Sequence, residues 1–317
     1  MRALILLLVV ALTAAACAGD DESSDTVTVS SVERAGNSTD GDTGNDDIGA
    51  DDDTGPVAAA DLVDGGATVI VANSPGTLST NGPQRLLVAL IGTGTNEILG
   101  GEDVEASLEL IAPDGDASDV VEARWQSTVG APLGLYVASY AFPKTGRWQV
   151  RIEGSGEGAS GALVDVFDES VVPEPGDPAP ASATPTAAEG AALDAITTDP
   201  EPDPDLYRLS IGEAVANGQP TVIVFATPAF CQTALCGPTL DIVKAAVTGR
   251  DGLDVVHVEP FELEQARAGS LVPVETMSEW HLATEPWVFV VDGDGLIAAS
   301  FEGLVSQAEI EAAIDNL

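Results

Sequence analysis

Two residue types could do chemistry in this chain, and their positions narrow what that chemistry is. There are 3 cysteines in 317 residues, at positions 17, 231 and 236, and 2 histidines, His257 and His281. Cys231 and Cys236 form a Cys-x4-Cys pair. Two thiols this close can exchange with an external disulfide, close a structural bridge, or hold a soft metal. So few cysteines exclude a disulfide-stapled scaffold, and two histidines exclude a histidine-rich metal site. No Gly-x-Ser-x-Gly elbow occurs, and neither histidine has an evident nucleophile, so a hydrolase triad is excluded. Gly92-Thr-Gly-Thr lacks the third glycine and the setting of a dinucleotide fingerprint, and there is no P-loop.

The elements around the pair place it between a strand and a helix. Thr221–Ala226 is a continuous β-branched and apolar run, the pattern of a strand buried on both faces. It leads through Thr227-Pro228-Ala229-Phe230 to Cys231. Leu240, Val243 and Val247 then form one helical stripe over 239–247, and Gly237-Pro238 predicts that this helix starts after both cysteines. Further strands are expected over 253–259, 286–291 and 296–301. Helices are expected over 274–281 and 307–316, the last opened by the capping box Ser306-Gln-Ala-Glu309.

This β-α-β-α-β-β-α order over about 206–317 resembles the thioredoxin family. There a buried strand delivers a cysteine, after an aromatic, to a helix N-terminus. Phe230 stands in the aromatic place and Glu285-Pro286 in that of the cis-proline before the third strand. The resemblance implies thiol–disulfide exchange with Cys231 as nucleophile and Cys236 as resolving thiol, and a substrate groove shaped by Phe230, Glu285 and Pro286. It implies no cofactor and, as partners, protein thiols or disulfides. The family motif is Cys-x2-Cys, so the two extra residues require a wider loop. That departure leaves open a structural disulfide in a non-enzymatic adaptor. It also leaves open a copper chaperone of the Sco type, with Cys231, Cys236 and His281 as metal candidates and Met277 one turn before. Otherwise Met277, His281 and His257 are packing residues. The peroxiredoxin motif and its paired arginine are missing; the nearest base in sequence is Lys244.

The rest of the chain is read as delivery and spacing. Met1-Arg2 and the apolar run 3–16 form a signal peptide, too short to span a bilayer. Thr13-Ala-Ala-Ala-Cys17 resembles the lipobox of bacterial lipoproteins, which implies lipidation of Cys17. The expected location is then the extracytoplasmic face of the cell membrane, reached through a lipid anchor. Residues 17–61, with 13 acidic residues against Arg34 alone, are expected to form a disordered tether. Over 62–168, seven short runs separated by turns, several of them alternating, predict an all-β, immunoglobulin-like sandwich without a disulfide. Residues 169–205 hold eight prolines and no basic residue, which predicts an extended spacer between the sandwich and the α/β thioredoxin-like part. The net charge of −41 argues against nucleic acid, since no basic patch could neutralise phosphates.

Overall fold

A computed structural model describes residues 57–115, 118–127, 134–156, 158–187 and 192–317. Cys17 and the segment before Val57 lie outside the described residues.

The first part is a single nine-stranded sheet that nearly closes on itself. Its strands are β1 (Val57–Ala58), β2 (Ala67–Val71), β3 (Gln84–Gly92), β4 (Ile98–Leu99), β5 (Val104–Ile111), β6 (Ser118–Ser127), β7 (Gly134–Tyr140), β8 (Gly146–Ile152) and β9 (Gly161–Val166). All seven predicted runs are strands. The main path is β2-β3-β7-β6-β5-β8-β9. Strand β6 turns the corner: its first half, Ser118–Ala123, pairs with β5, and Arg124–Ser127 pairs with β7. The outer strands β2 and β9 come back together, where the Val69 N–H donates to Ser160 Oγ at 3.1 Å. Period-2 alternation sends Leu108 and Leu110 of β5, and Trp148, Val150 and Ile152 of β8, into one core with Tyr136 and Phe142. The predicted tether runs too far. Helix α1 (Ala59–Asp64) buries Ala59 and Val63 in this core, and short apolar residues there suffice to dock it.

The second part is built on a four-stranded sheet in the order β11-β10-β12-β13. Its strands are β10 (Thr221–Phe225), β11 (Asp254–Val258), β12 (Trp287–Val291) and β13 (Ile297–Glu302). Strand β10 pairs parallel with β11 and antiparallel with β12. Every residue of β10 and β12 is buried, because helices and chain cover both faces. On one face Ile223, Phe225 and Phe289 pack with Met277 and Trp280; on the other Val222 and Val224 pack with Cys236, Leu240, Val243 and Ile310. The helices are α2 (Leu193–Ile196), α3 (Ile211–Ala216), α4 (Cys236–Val247), α5 (Leu263–Arg267), α6 (Glu275–Glu279) and α7 (Gln307–Asp315). The predicted capping box at Ser306 is formed, and a second one at Ser210 opens α3.

The Pro-rich segment is the main correction to the sequence reading. It is a strap over the second sheet, not a solvated spacer. The Gly176 and Ala179 N–H groups donate to Ile297 O and Gly295 O at 2.8 and 2.9 Å. Val172, Ala179, Ser182, Thr184, Thr186, Thr197 and Asp199 are buried. Proline removes donors from the strap but leaves its remaining N–H groups free to pair, and the small residues Ala, Ser and Thr let the backbone approach the sheet.

The two parts touch through charged groups. Arg85 of β3 pairs with Glu309 of α7 at 2.8 Å and also donates to Leu304 O at 2.6 Å. Glu302, at the end of β13, accepts the Ser74 N–H at 2.8 Å. Among the described residues, no helix is long and apolar enough to cross a membrane.

Candidate active site

The site begins where β10 runs out. Ala226 still donates to Val258 O at 3.1 Å, and Pro228 then cannot continue a ladder. The loop folds back through Ala234, whose φ of 59° lies in the left-handed region. This turn accommodates the two extra residues of the Cys-x4-Cys spacing. Helix α4 starts at Cys236, earlier than the predicted start after Pro238. Pro238 is its third residue, where a missing N–H costs nothing.

The helix start sets the surroundings of both thiols. Its N-cap residue, Leu235, has no side-chain acceptor for the free N–H groups of the first turn. The Cys236 N–H instead donates to Cys231 Sγ at 3.2 Å, so the sulfur takes the place of a capping oxygen. Negative charge on that sulfur is favoured by the N–H and by the positive end of the helix. Thr233 Oγ1 lies 3.4 Å from the same sulfur. Cys231 is accordingly pushed down to about 5, chiefly by the hydrogen bond from the Cys236 thiol, then by Thr233 and the backbone N–H groups, against the opposing effect of burial. Cys236 is fully buried and shifts the other way, held protonated by that same hydrogen bond and by burial. Both residues are free cysteines, one half-buried and one buried.

Glu285 completes the group. The Glu285–Pro286 peptide is cis. The two sulfurs and a Glu285 carboxylate oxygen all lie within 4.8 Å of one another. Burial raises the Glu285 carboxyl, and the neighbouring Cys231 charge raises it further, while the Gln232 N–H works against both. Pro286 is buried and Phe230 half-buried at the rim. Next to Glu285, Thr284 Oγ1 is 3.0 Å from Ser74 Oγ, so the first part of the chain reaches the edge of the site.

The structure thus brings together Cys231, Cys236 and Glu285, with Pro286 next in the chain, but not His281. It is exposed after α6, outside the cysteine group, and the third converging donor is Glu285. Met277 is buried in the aromatic core. His257 is buried in β11, with Nδ1 2.7 Å from Tyr207 Oη and Nε2 2.8 Å from Ala226 O.

Sequence reasoning missed the group that holds the loop. Thr198, in the strap, donates its hydroxyl to Glu259 Oε1 at 2.7 Å and accepts the Ala229 N–H at 3.1 Å. A Thr-Thr pair in a Pro-rich stretch carries no signal of this role; only the fold brings it beside residue 229. Thr198→Val leaves that N–H and the Glu259 carboxylate each short of a partner. We expect a loss of about 1–3 kcal/mol in urea unfolding. At the turn itself, Ala234→Gly removes a left-handed penalty of about 1–2 kcal/mol and adds an entropic cost of roughly 0.5–1 kcal/mol. A net gain of about 0.5 kcal/mol is expected in the same measurement, with no loss of Cys231 alkylation.

No protein-family model matches the chain, and neither does any curated protein. Among solved structures, StoA from Bacillus subtilis is similar at 21% identity, over 31% of this chain and 83% of its own, with a TM-score of 0.25.

Proposed function

We propose that the protein is a thiol–disulfide oxidoreductase, acting through Cys231 and Cys236. The observation that carries this reading is the hydrogen bond from the Cys236 N–H to Cys231 Sγ at the first turn of α4, with the second sulfur within 4.8 Å. The Cys231 thiolate attacks one sulfur of a substrate disulfide. The substrate S–S bond breaks, and the departing thiolate takes a proton from water. Cys236 then loses its proton and attacks Cys231 Sγ, which releases the second substrate thiol and leaves a Cys231–Cys236 disulfide. Run backwards, the same steps oxidise a dithiol.

Several features support the wider reading. The helix and strand order of the second part is compatible with a thioredoxin-like domain over 206–317. The strand order of the first, with one strand shared between its two halves, supports an immunoglobulin-like sandwich. The apolar run ahead of Cys17 supports an extracytoplasmic, lipid-anchored protein whose partners are protein thiols or disulfides.

The test is the reduction potential of the pair. A value within about −270 to −120 mV fits turnover. A value below about −300 mV marks a structural bridge and overturns the proposal. Cys231→Ser should abolish reduction of an added protein disulfide; retained activity would rule out Cys231 as the nucleophile.

A further inference from the structure

The two segments that build the site are almost free of charge. Between Thr221 and Leu240 there is no Asp, Glu, Lys or Arg, and between Trp280 and Val291 the only one is Glu285. Glu285 is half-buried, has a carboxylate oxygen within 4.8 Å of Cys231 Sγ, and forms no ion pair among the described residues. A half-buried carboxylate beside a nucleophile, with no other charge in these two segments to offset it, favours a positive charge on whatever approaches that sulfur. A negative group there would meet both the carboxylate and the thiolate.

We propose that Glu285 makes the site selective for thiols and disulfides that carry a positive charge next to the reacting sulfur, such as a cysteine flanked by Lys or Arg. This deepens the proposed function, resting on Cys231 as the reacting group, but its test does not need turnover. Glu285 is the specificity-determining residue. It forms no bond in the reaction, and its charge weights which partner reaches Cys231.

The experiment uses the reduced full chain at pH 8 and two methanethiosulfonate reagents of similar size, one with a trimethylammonium group and one with a sulfonate. In each case the Cys231 thiolate attacks the reagent's alkyl-bearing sulfur. A Cys231–S–S–alkyl bond forms, the S–SO2 bond breaks, and methanesulfinate leaves with the electron pair. The rate is followed by peptide mass as loss of the free Cys231 thiol, which counts both the mixed disulfide and the Cys231–Cys236 bridge formed if Cys236 then displaces the alkyl thiol. The quantity read is the ratio of cationic to anionic rates, in which any general change in thiol reactivity cancels. We expect that ratio to fall about tenfold in Glu285→Gln and Glu285→Ala, and to be kept in Glu285→Asp. In the wild type it should also fall as salt is raised to 1 M. A ratio unchanged within twofold in both neutral variants would overturn the proposal. So would a salt-insensitive wild-type ratio, which can be read even where a variant does not fold. A reduction potential outside the catalytic range would instead count against turnover and leave the charge selection to stand on these rates.

Discussion

Iodoacetamide should alkylate Cys231 at a rate that climbs about tenfold per pH unit up to about pH 5, then stays flat from roughly pH 6 to 8. Only the thiolate reacts, and Cys231 titrates at about 5 where an ordinary thiol titrates near 8.5. Cys236 should stay unlabelled across that range, because it is buried and held protonated. Two variants locate the cause. Cys236→Ala removes the first hydrogen-bond donor and should move the break in the profile upward. Thr233→Ala should move it upward by less. The sign of the linked stability follows from the same shift. A depressed thiol pKa stabilises the folded, reduced chain at pH values above the unfolded thiol's, and that stability is lost as pH falls through about 5. The oxidised form has no such thiolate. The difference in urea stability between reduced and oxidised protein should therefore grow in favour of the reduced form from pH 5 to about 8.5. A labelling profile that broke near pH 8.5 would mean that the helix start does not activate Cys231.

Trp280→Ala should cost about 3–5 kcal/mol in urea unfolding, the usual range for removing a buried large aromatic. Trp280 is 0% exposed. Its ring packs 4.7 Å from Phe289 and 5.3 Å from Phe225, centroid to centroid. Its Nε1–H donates to Ser182 Oγ at 3.1 Å, and Ser182 donates in turn to Glu279. The substitution thus opens a cavity under the sheet and loosens the strap at one of its buried anchors. Amide exchange at Gly176, Ala179 and Gly212, whose N–H groups tie the strap to the second part, should speed up more than exchange in β3 or β7. Trp280→Phe keeps most of the volume and should cost less, with the lost Trp280–Ser182 hydrogen bond contributing about 1 kcal/mol. A loss under 1 kcal/mol for Trp280→Ala, with the strap still protected, would show that the strap is held elsewhere.

The contrast between these two sites shows which patterns a sequence makes legible. A short run rich in β-branched and apolar residues and closed by a proline, such as Thr221–Phe225, reads as a strand covered on both faces, and the structure has it there. Strict alternation, as in Trp148, Val150 and Ile152, is equally unambiguous, since one face must be buried. Ser306 and Glu309 announce a helix start through two local hydrogen bonds. Helix α4 starts before Gly237-Pro238, a local signal, because the acceptor that ends the loop is Cys231 Sγ, which reaches Cys236 only after Ala234 turns the chain. The strap carries no local signal for a related reason. Proline and acid content describe what a segment cannot do alone, and say nothing of a sheet edge waiting to pair with it.

By itself the sequence determined most of the strands, the close pair of thiols between a strand and a helix, and the expectation of a proline turn beside it, because each depends on residues near one another in the chain. The tertiary structure decided which residue joins the cysteines. From sequence spacing His281 and Glu285 are both close to Pro286. The chain enters the cis peptide with the Glu285 carboxylate beside the sulfurs and His281 exposed. It also decided that Thr198 and Ser74, from the strap and from the first sheet, stand at the site's edges. Such contacts join residues separated in sequence by 31 and 210 positions. They form only once a packed core has brought their elements together, so no local pattern could announce them.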